Sequence, residues 1–551
     1  MPVITLFRDR FSSSIGRSIT VEEMAKWLPW MGLDIEEVGP DYVKVEFNPN
    51  RVDFSSHAGI ARGYSGLRGW KTGLPEYEMK EGKAALNVDP SVSEVRPYVL
   101  AAVIRNISLD YDSVRELMEI QEDLHWGVGR DRRKVSIGVH NMDVVQQPFS
   151  YVAREPNAVR FVPLDKTEEM SLQEILERHE KGVGYRHLVD WAPKYPLIID
   201  SKEQVLSFPP IINGELTRVD SWTKNLFIDV TGTDYKAIAR SLNVLVTALA
   251  DMGASLESVN VNYPDRTVVS PDLTPQRMRL RTDYANRLLG LKLSESKVIQ
   301  SLRKSRLDAK KISKGVLEVS IPAYRIDIMH EIDLVEEVAI GYGYFRMKPT
   351  RLATMTTGKQ HTTSKKANRA RQVMIGLGFT EVKNFILTNR VAHYENMRQK
   401  VGGGMIKLAN PVSTEYSIAR ENLLPSLMKN LMDNKHESYP QRLFEVSDVI
   451  RINRKTETRS ERRLHTAGVS SHSTANFTEI KSIAEALLAN LGVKRWDVKA
   501  TRHPSFLQGR VAAIYVKRRK VGVLGEIHPE VINNFELENP VGAFEIDLKE
   551  I

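Results

Sequence analysis

A chain of 551 residues is too long for a single core and predicts roughly three to five domains. With 42% apolar, 27% charged and 7% aromatic residues, it has the balance of a folded globular protein, not of a disordered or membrane one. Cysteine is absent, which excludes disulfides, thiolate nucleophiles and sulfur-built zinc sites; the net charge of +9 has the sign that suits a phosphate-rich partner and is equally compatible with none.

The N-terminus, Met-Pro-Val-Ile-Thr-Leu-Phe-Arg, has no basic region followed by a long apolar stretch. No run approaches the ~18 residues of a spanning helix, so a chain of the cytoplasm with no membrane partner is expected. Tyr42-Val-Lys-Val-Glu-Phe alternates as a strand and Asn48-Pro-Asn-Arg51-Val-Asp53 forms a polar turn. The glycines of His57-Ala-Gly-Ile-Ala-Arg-Gly-Tyr-Ser-Gly-Leu-Arg-Gly69 fall in an apparent helix and mark close packing or a break. A small α+β module follows from this.

From about Tyr98 strands predominate, beginning with Tyr98-Val-Leu-Ala-Ala-Val-Ile-Arg and Val135-Ser-Ile-Gly-Val-His. Between them, Gly127-Val-Gly-Arg130-Asp-Arg132-Arg133-Lys134 sets four cations beside glycine, either a loop that meets phosphates or a plain solvated one. The Asn213-Gly214 pair in Leu206-Ser207-Phe-Pro-Pro-Ile-Ile-Asn213-Gly214-Glu215-Leu predicts a hairpin turn. Asn225-Leu-Phe-Ile-Asp229-Val-Thr231-Gly-Thr233-Asp234 is a strand that empties into hydroxyls and carboxylates, which serve as turn chemistry or as a pocket floor. Ile238, Leu242, Leu245, Val246 and Leu249 recur at helical spacing from Tyr235 to Met252, with Gly253 as stop.

Helical runs are predicted at about 282–289 and 294–305, the second basic through Lys297, Arg303, Lys304 and Arg306, which suits a winged-helix-like module. In Tyr324-Arg-Ile-Asp-Ile-Met-His-Glu-Ile-Asp-Leu-Val-Glu-Glu-Val-Ala-Ile-Gly-Tyr-Gly-Tyr344, a helix read from Ile332 places Asp333, Glu336 and Glu337 at i, i+3 and i+4. Ile332, Val335, Val338 and Ala339 then line the apolar side. Such carboxylates repel by a few tenths of a kcal/mol per pair unless a cation or basic partner compensates. Asp327, upstream, supplies a fourth oxygen donor, and hard carboxylate ligands suit Mg2+. Spacing leaves a solvated acidic face and a metal site both open.

No Asp or Glu occurs from Val338 through Thr380, while Arg346, Lys348, Arg351, Lys359, Lys365, Lys366, Arg369 and Arg371 do. This cationic connection reads as a surface for RNA or an acidic partner, or as a solubilised linker. The last block opens with a helix ending near Gly376-Leu-Gly378. It holds Leu408-Ala-Asn-Pro through Arg420-Glu-Asn-Leu-Leu-Pro425, Arg442-Leu-Phe-Glu445 and Val523-Leu-Gly-Glu-Ile-His528-Pro, and closes on the alternating strand Gly542-Ala-Phe-Glu-Ile-Asp-Leu.

The segment Arg325-Ile-Asp-Ile-Met-His-Glu-Ile-Asp-Leu-Val-Glu-Glu-Val-Ala-Ile-Gly-Tyr-Gly-Tyr344 closely resembles the signature of the phenylalanyl-tRNA synthetase β subunit in its shorter, archaeal and eukaryotic-type form. The motifs from Pro209 to Glu215 and from Asn225 to Asp234 resemble those of that subunit's editing domain. The final block resembles its copy of a class II synthetase core without the chemistry: Arg442-Leu-Phe-Glu445 sits at the second class II motif with unusual spacing, and the Gly-rich, Arg-bearing third motif that would hold ATP is missing.

The resemblance implies a multidomain α+β fold. Residues 1–85 form the N-terminal α+β module, 86–268 a mixed α/β tRNA-editing domain, 269–346 the winged-helix-like module with its acidic cluster, 347–368 a basic linker, and 369–551 a class II synthetase-like antiparallel sheet core without catalytic motifs, the α-subunit interface. It implies an α2β2 enzyme that attaches phenylalanine to tRNA(Phe) with ATP at a site in the α subunit, while the β chain hydrolyses mischarged Tyr-tRNA(Phe). Asp327, Asp333, Glu336 and Glu337 would be the Mg2+ ligands. Ser207, Asn213, Glu215, Asp229, Thr231 and Thr233 would line the editing pocket, with Glu215 or Asp229 recognising amine or phenol and Thr231 or Thr233 orienting water. The alternative is a non-catalytic RNA-binding or scaffold subunit that has lost editing.

Overall fold

The alternation Tyr42–Glu46 forms the middle strand of a three-stranded sheet, flanked by Val3–Phe7 and Asp34–Val38, with Val43 and Val45 turned into the core. The computed structural model describes residues 2–351, 354–402 and 404–551, which separate into one unit through Arg351 and a second after it. The glycine-bearing segment is a helix, His57–Leu67, capped by Ser56 accepting from Gly59 N. Its glycines mark close packing: a Cβ on Gly59 would lie 1.8 Å from Asp53 O, and one on Gly66 2.3 Å from Lys304 O.

The strand Met79–Val88 begins inside the stretch expected to be N-terminal module, yet belongs to the next sheet, where it pairs in parallel with Ser255–Asn262. That ten-stranded mixed sheet runs from Ile212–Asn213 through Val205–Phe208, Tyr195–Ile199, Phe149–Arg154, Met79–Val88, Ser255–Asn262, Tyr98–Arg105 and Leu226–Gly232 to Val135–Asn141, with Thr267–Ser270 added beside Ser255–Asn262. Leu226–Gly232 is buried at every position between two antiparallel neighbours, and the expected helix, Tyr235–Asp251, covers one face. The sheet curls until its two ends meet: Asn213 Nδ2 on the first strand donates to Val139 O on the last at 3.4 Å.

The hairpin forms, but its turn is not at Asn213-Gly214. Ser207 pairs with Asn213 and Phe208 with Ile212, so Pro209, Pro210 and Ile211 make the reversal. Two prolines cannot donate to the ladder and are displaced into the turn. Gly214 instead donates to Leu206 O at 2.7 Å.

Downstream, Gln276–Arg281, Val316–Ile321 and Asp308–Ser313 form an antiparallel sheet packed with helices Thr282–Leu289, Glu295–Lys304 and Glu331–Tyr342. The acidic helix buries Val335, Val338 and Ala339 as expected and departs from the pattern at two positions. Ile332 is 43% exposed, while Glu337 is buried with Leu334, Val335, Val338 and Ala339, because Arg325 draws its carboxylate inward.

The second unit is a seven-stranded sheet ordered Thr380–Glu381, Gln441–Ile452, Ser460–Ser471, Val541–Asp547, Arg519–Ile527, Phe506–Val516 and Asp497–Ala500, antiparallel except for its first pair. Helices Thr362–Gly376 and Phe477–Asn490 cover one face and Leu424–Asp433 the other. The first of these helices starts within the expected linker 347–368, whose residues 352 and 353 lie outside those described. Among the described residues no helix is long and apolar enough to cross a membrane.

Candidate functional site

Where the curled sheet meets itself it encloses a cavity of about 380 Å³. One wall is the strand segment Ser136–Val139, another the hairpin from Ser207 to Gly214, and a third the helix Tyr111–Trp126 through Met118, Gln121, Glu122 and His125. Three of the six expected residues line it: Ser207, Asn213 and Asp229. The hydroxyl of Ser207, 2% exposed, has no hydrogen-bond partner among the described residues.

Asp229 lies on Leu226–Gly232, the strand next to the last in the sheet, and is 1% exposed. Its Oδ2 meets His140 Nε2 at 2.8 Å, and His140 Nδ1 meets Thr217 Oγ1 at 2.8 Å, both partners wholly interior. A carboxylate needs a donor at Nε2, and Thr217 Oγ1, which also lies 3.3 Å from Gly214 O, holds the other side of the ring. This chain fixes Oδ2 of Asp229, a residue of the cavity lining.

Glu122 sits nearer solvent, its side chain 51% exposed, and Arg132 Nη2 donates to it at 2.7 Å. Burial opposes ionisation there, but His125 at 3.7 Å and the charges of Arg132 and Lys181 hold its carboxyl at about 2. His125 is the reverse case. Burial, with Arg132 and Arg96 near, lowers it to about 4 against the pull of Glu122, and its Nε2 accepts from Ile137 N at 2.8 Å. Arg132 also donates to Pro210 O and Ile211 O, tying the helix end to the hairpin turn.

The other expected residues lie outside the lining. Glu215 is forked by Arg218 at 2.7 and 2.8 Å, and that hydrogen bond keeps its carboxyl below the ordinary range. Thr231 Oγ1 accepts from Arg96 Nε at 2.9 Å, and Thr233 Oγ1 donates to Arg133 O at 3.1 Å. Gln121, Glu122, Arg132, His140 and Thr217 were not singled out from sequence as site residues. Their one signal was the cationic loop, since Arg132 belongs to it.

The four expected metal ligands act on one another's charge without converging on a single point. Burial, then repulsion from Glu337, Asp327 and Asp333, raises the Glu336 carboxyl. Arg325, buried, bridges two of them, donating to Asp327 Oδ2 at 2.7 Å and to Glu337 Oε1. Asp333 caps its own helix, accepting from Met329 N at 2.8 Å and His330 N at 2.7 Å. No three acidic or histidine side chains among the described residues are gathered as a metal cage. The donor set is of the kind a hard cation takes, and the repulsion on Glu336 is what one would relieve, with Arg325 supplying that charge to the other pair.

Known proteins line up with this architecture. Residues 96–247 match the B3/4 domain family, 278–344 the tRNA synthetase B5 domain family and 349–548 the phenylalanyl tRNA synthetase beta chain CLM domain family. The chain is 44% identical over 549 residues to the phenylalanine–tRNA ligase beta subunit of Methanothrix thermoacetophila, covering 100% of both. It is 44% identical over 550 residues to that of Archaeoglobus fulgidus, covering 100% of this chain and 98% of the relative, and 40% identical over 554 residues to that of Methanocaldococcus jannaschii, covering 100% of both. An N-terminal fragment of the phenylalanyl-tRNA synthetase beta subunit from Pyrococcus horikoshii superposes with a TM-score of 0.60 at 39% identity, covering 62% of this chain and 99% of the fragment.

Proposed function

The chain belongs to the phenylalanine–tRNA ligase beta-subunit family, and from that premise we propose that its central cavity hydrolyses Tyr-tRNA(Phe). A pocket made for a phenyl ring cannot strongly exclude the same ring bearing a hydroxyl, so a ligase for phenylalanine needs a second site that selects for that hydroxyl. The observation that carries this reading is the partnerless buried hydroxyl of Ser207 in the same cavity as a half-committed Asp229. The phenol donates to Asp229 and accepts from Ser207. A phenylalanyl group leaves both unpaired, at about 1–3 kcal/mol for each buried group.

The ester end lies toward Glu122, Asn213 and Arg132. Water attacks, because the chain has no cysteine, His125 of the cavity wall spends Nε2 on Ile137 N, and His140 is committed to Asp229 and Thr217 rather than to Ser207. With a carboxyl near 2, Glu122 is too weak a base to strip a proton early, so it orients the water or holds the substrate ammonium, and Asn213 and Arg132 offer donors to the oxygen that gains charge. The test is deacylation by Ser207→Ala and Asp229→Asn in the assembled enzyme. Hydrolysis of Tyr-tRNA(Phe) is expected to fall at least tenfold with phenylalanylation unchanged; undiminished hydrolysis in both would remove the assignment.

In the same reading an α chain activates phenylalanine with ATP and transfers it, while this chain supports assembly and part of the tRNA surface, in an α2β2 complex of the cytoplasm. What supports a non-activating role is Glu445 of the Arg442-Leu-Phe-Glu445 segment: it is 0% exposed and held by Arg420 at 2.8 Å and by Asn384 at 2.9 Å, out of reach of a nucleotide. Asp327, Asp333, Glu336 and Glu337 would hold Mg2+, whose charge would offset the repulsion on Glu336 and stiffen the surface beside the acidic helix. Metal analysis of an Asp333→Asn/Glu337→Gln complex is expected to find less bound Mg2+ than wild type, and an equal amount would place the ion elsewhere.

A further inference from the structure

The loop joining the helix Tyr111–Trp126 to the strand Val135–Asn141 sends its arginines to opposite sides. Arg130, Asp131 and Arg132 take consecutive left-handed conformations, φ 51°, 56° and 63°, unfavourable for residues bearing a Cβ. The turn is stitched by Gly129 N to Leu124 O at 2.8 Å, Arg132 N to His125 O at 3.1 Å and Lys134 N to Gly129 O at 2.7 Å. Within it, Arg132 is driven inward to wall the cavity, while its neighbours Arg130 and Arg133 stay exposed, and their guanidinium groups have no partner among the described residues.

Those two arginines flank a separate hollow of about 600 Å³, lined also by Trp126, Val128, Pro49 and Asn50, with Asp131 as its one carboxylate. Trp126 is 57% exposed, unusual for the largest apolar side chain and suited to present a ring face. An aromatic platform beside unpaired cations is the chemistry that binds single-stranded nucleic acid, through base stacking and phosphate contact. Residue by residue the two hollows share one helix end and the loop after it: His125 and Arg132 line the cavity, and Trp126, Arg130 and Arg133 line the outer hollow.

We infer that the outer hollow takes the unpaired 3′-terminal nucleotides of the charged tRNA, with a base on Trp126 and phosphates against Arg130 and Arg133, while the aminoacyl ester passes Arg132 into the cavity. The inference rests on the editing reading and adds to it a docking site for the nucleic-acid part of the substrate. The left-handed turn has a purpose on this view. It aims one arginine at the ester and two at the strand that carries it.

The experiment uses the assembled enzyme with Trp126→Ala, Arg130→Ala and Arg133→Ala combined, measuring hydrolysis of Tyr-tRNA(Phe) across substrate and salt concentrations, alongside binding of uncharged tRNA. Expected is a KM raised roughly tenfold or more with kcat unchanged, and a salt dependence of binding that is shallower by ~0.7 for each phosphate the variant no longer neutralises. An unchanged KM and salt slope would overturn the inference, as would loss of kcat alone, which would mean that the loop serves only to hold Arg132. Failure of the triple variant to retain its partner chain would also overturn it, by making the hollow a protein interface. A wild-type enzyme that hydrolyses no Tyr-tRNA(Phe) would sink the editing reading instead; weakened tRNA binding by the variant would then still support the hollow.

Discussion

A methyl group on Gly138 would lie 2.1 Å from Asp229 Oδ2 and 2.5 Å from His140 Nε2, so the contact between those two side chains exists only because position 138 has none. Gly138→Ala is expected to push Asp229 off its imidazole and lower the hydrolysis of Tyr-tRNA(Phe) at least tenfold, while phenylalanylation by the complex persists. Parallel assays of the two reactions check this. His125 makes a second expectation, about pH. Its folded value of about 4 lies below the ordinary 6.5, so the unfolded chain takes up its proton first, and stability is lost as pH falls from about 6.5 to about 4. At about 1.4 kcal/mol per unit, the loss from this residue is on the order of 3 kcal/mol. Denaturant unfolding of His125→Gln, which can still accept from Ile137 N, is expected to show a flatter profile over that interval. Ser207, Asn213 and Asp229 were legible in the sequence because motifs surround them. His140 and Thr217 were not, since His140 stands 89 positions from Asp229 and 77 from Thr217, and a buried histidine in a strand announces nothing until its neighbours are known.

Helix Glu295–Lys304 is held between two others at backbone distance. A Cβ on Gly341 of the acidic helix would fall 2.0 Å from Ser301 O, and Gly66 of His57–Leu67 approaches Lys304 O similarly. Gly341→Ala is expected to destabilise this region by about 1–3 kcal/mol through overpacking, seen as a lowered midpoint of thermal unfolding, with the kinetics of ester hydrolysis retained. Periodicity located these helices nearly to the residue, as it did the strand at Tyr98–Arg105 and the helix at Tyr235–Asp251. It failed where one polar contact outweighed the pattern: Glu337 turns inward to Arg325 and Ile332 outward, which no count of apolar positions foretells. The hairpin reversal moved for a related reason, since the dipeptide preference of Asn213-Gly214 yields to two adjacent prolines that cannot sit in a ladder.

Across the molecule, each of the two units carries a buried cation–carboxylate arrangement: Arg325 with Asp327 and Glu337 in the first, Arg420 with Glu445 in the second. Arg420→Met would strand Glu445 in the interior and is expected to cost the second unit about 3–5 kcal/mol. Arg420→Met combined with Glu445→Leu is expected to recover most of it, and chemical denaturation of the two variants checks the difference. The family was legible because its motifs recur in order along the whole sequence. The division after Arg351 falls inside the cationic stretch read as a linker, 347–368, but the helix that begins there at Thr362 was not foreseen, because lysines and arginines mask its start.

The meeting of Asn213 with Val139 has a consequence beyond enclosing the cavity. Those are the terminal strands of a large sheet, and each would otherwise present a ladder of unsatisfied amides and carbonyls on which a foreign strand could template itself. Side chains meet the edge of Val135–Asn141 instead, with His125 Nε2 accepting from Ile137 N and Asn213 Nδ2 donating to Val139 O, so part of that ladder faces the pocket. A variant engineered to widen that pocket for a bulkier side chain is therefore expected also to open a seam for aggregation, seen as light scattering that rises with pocket volume.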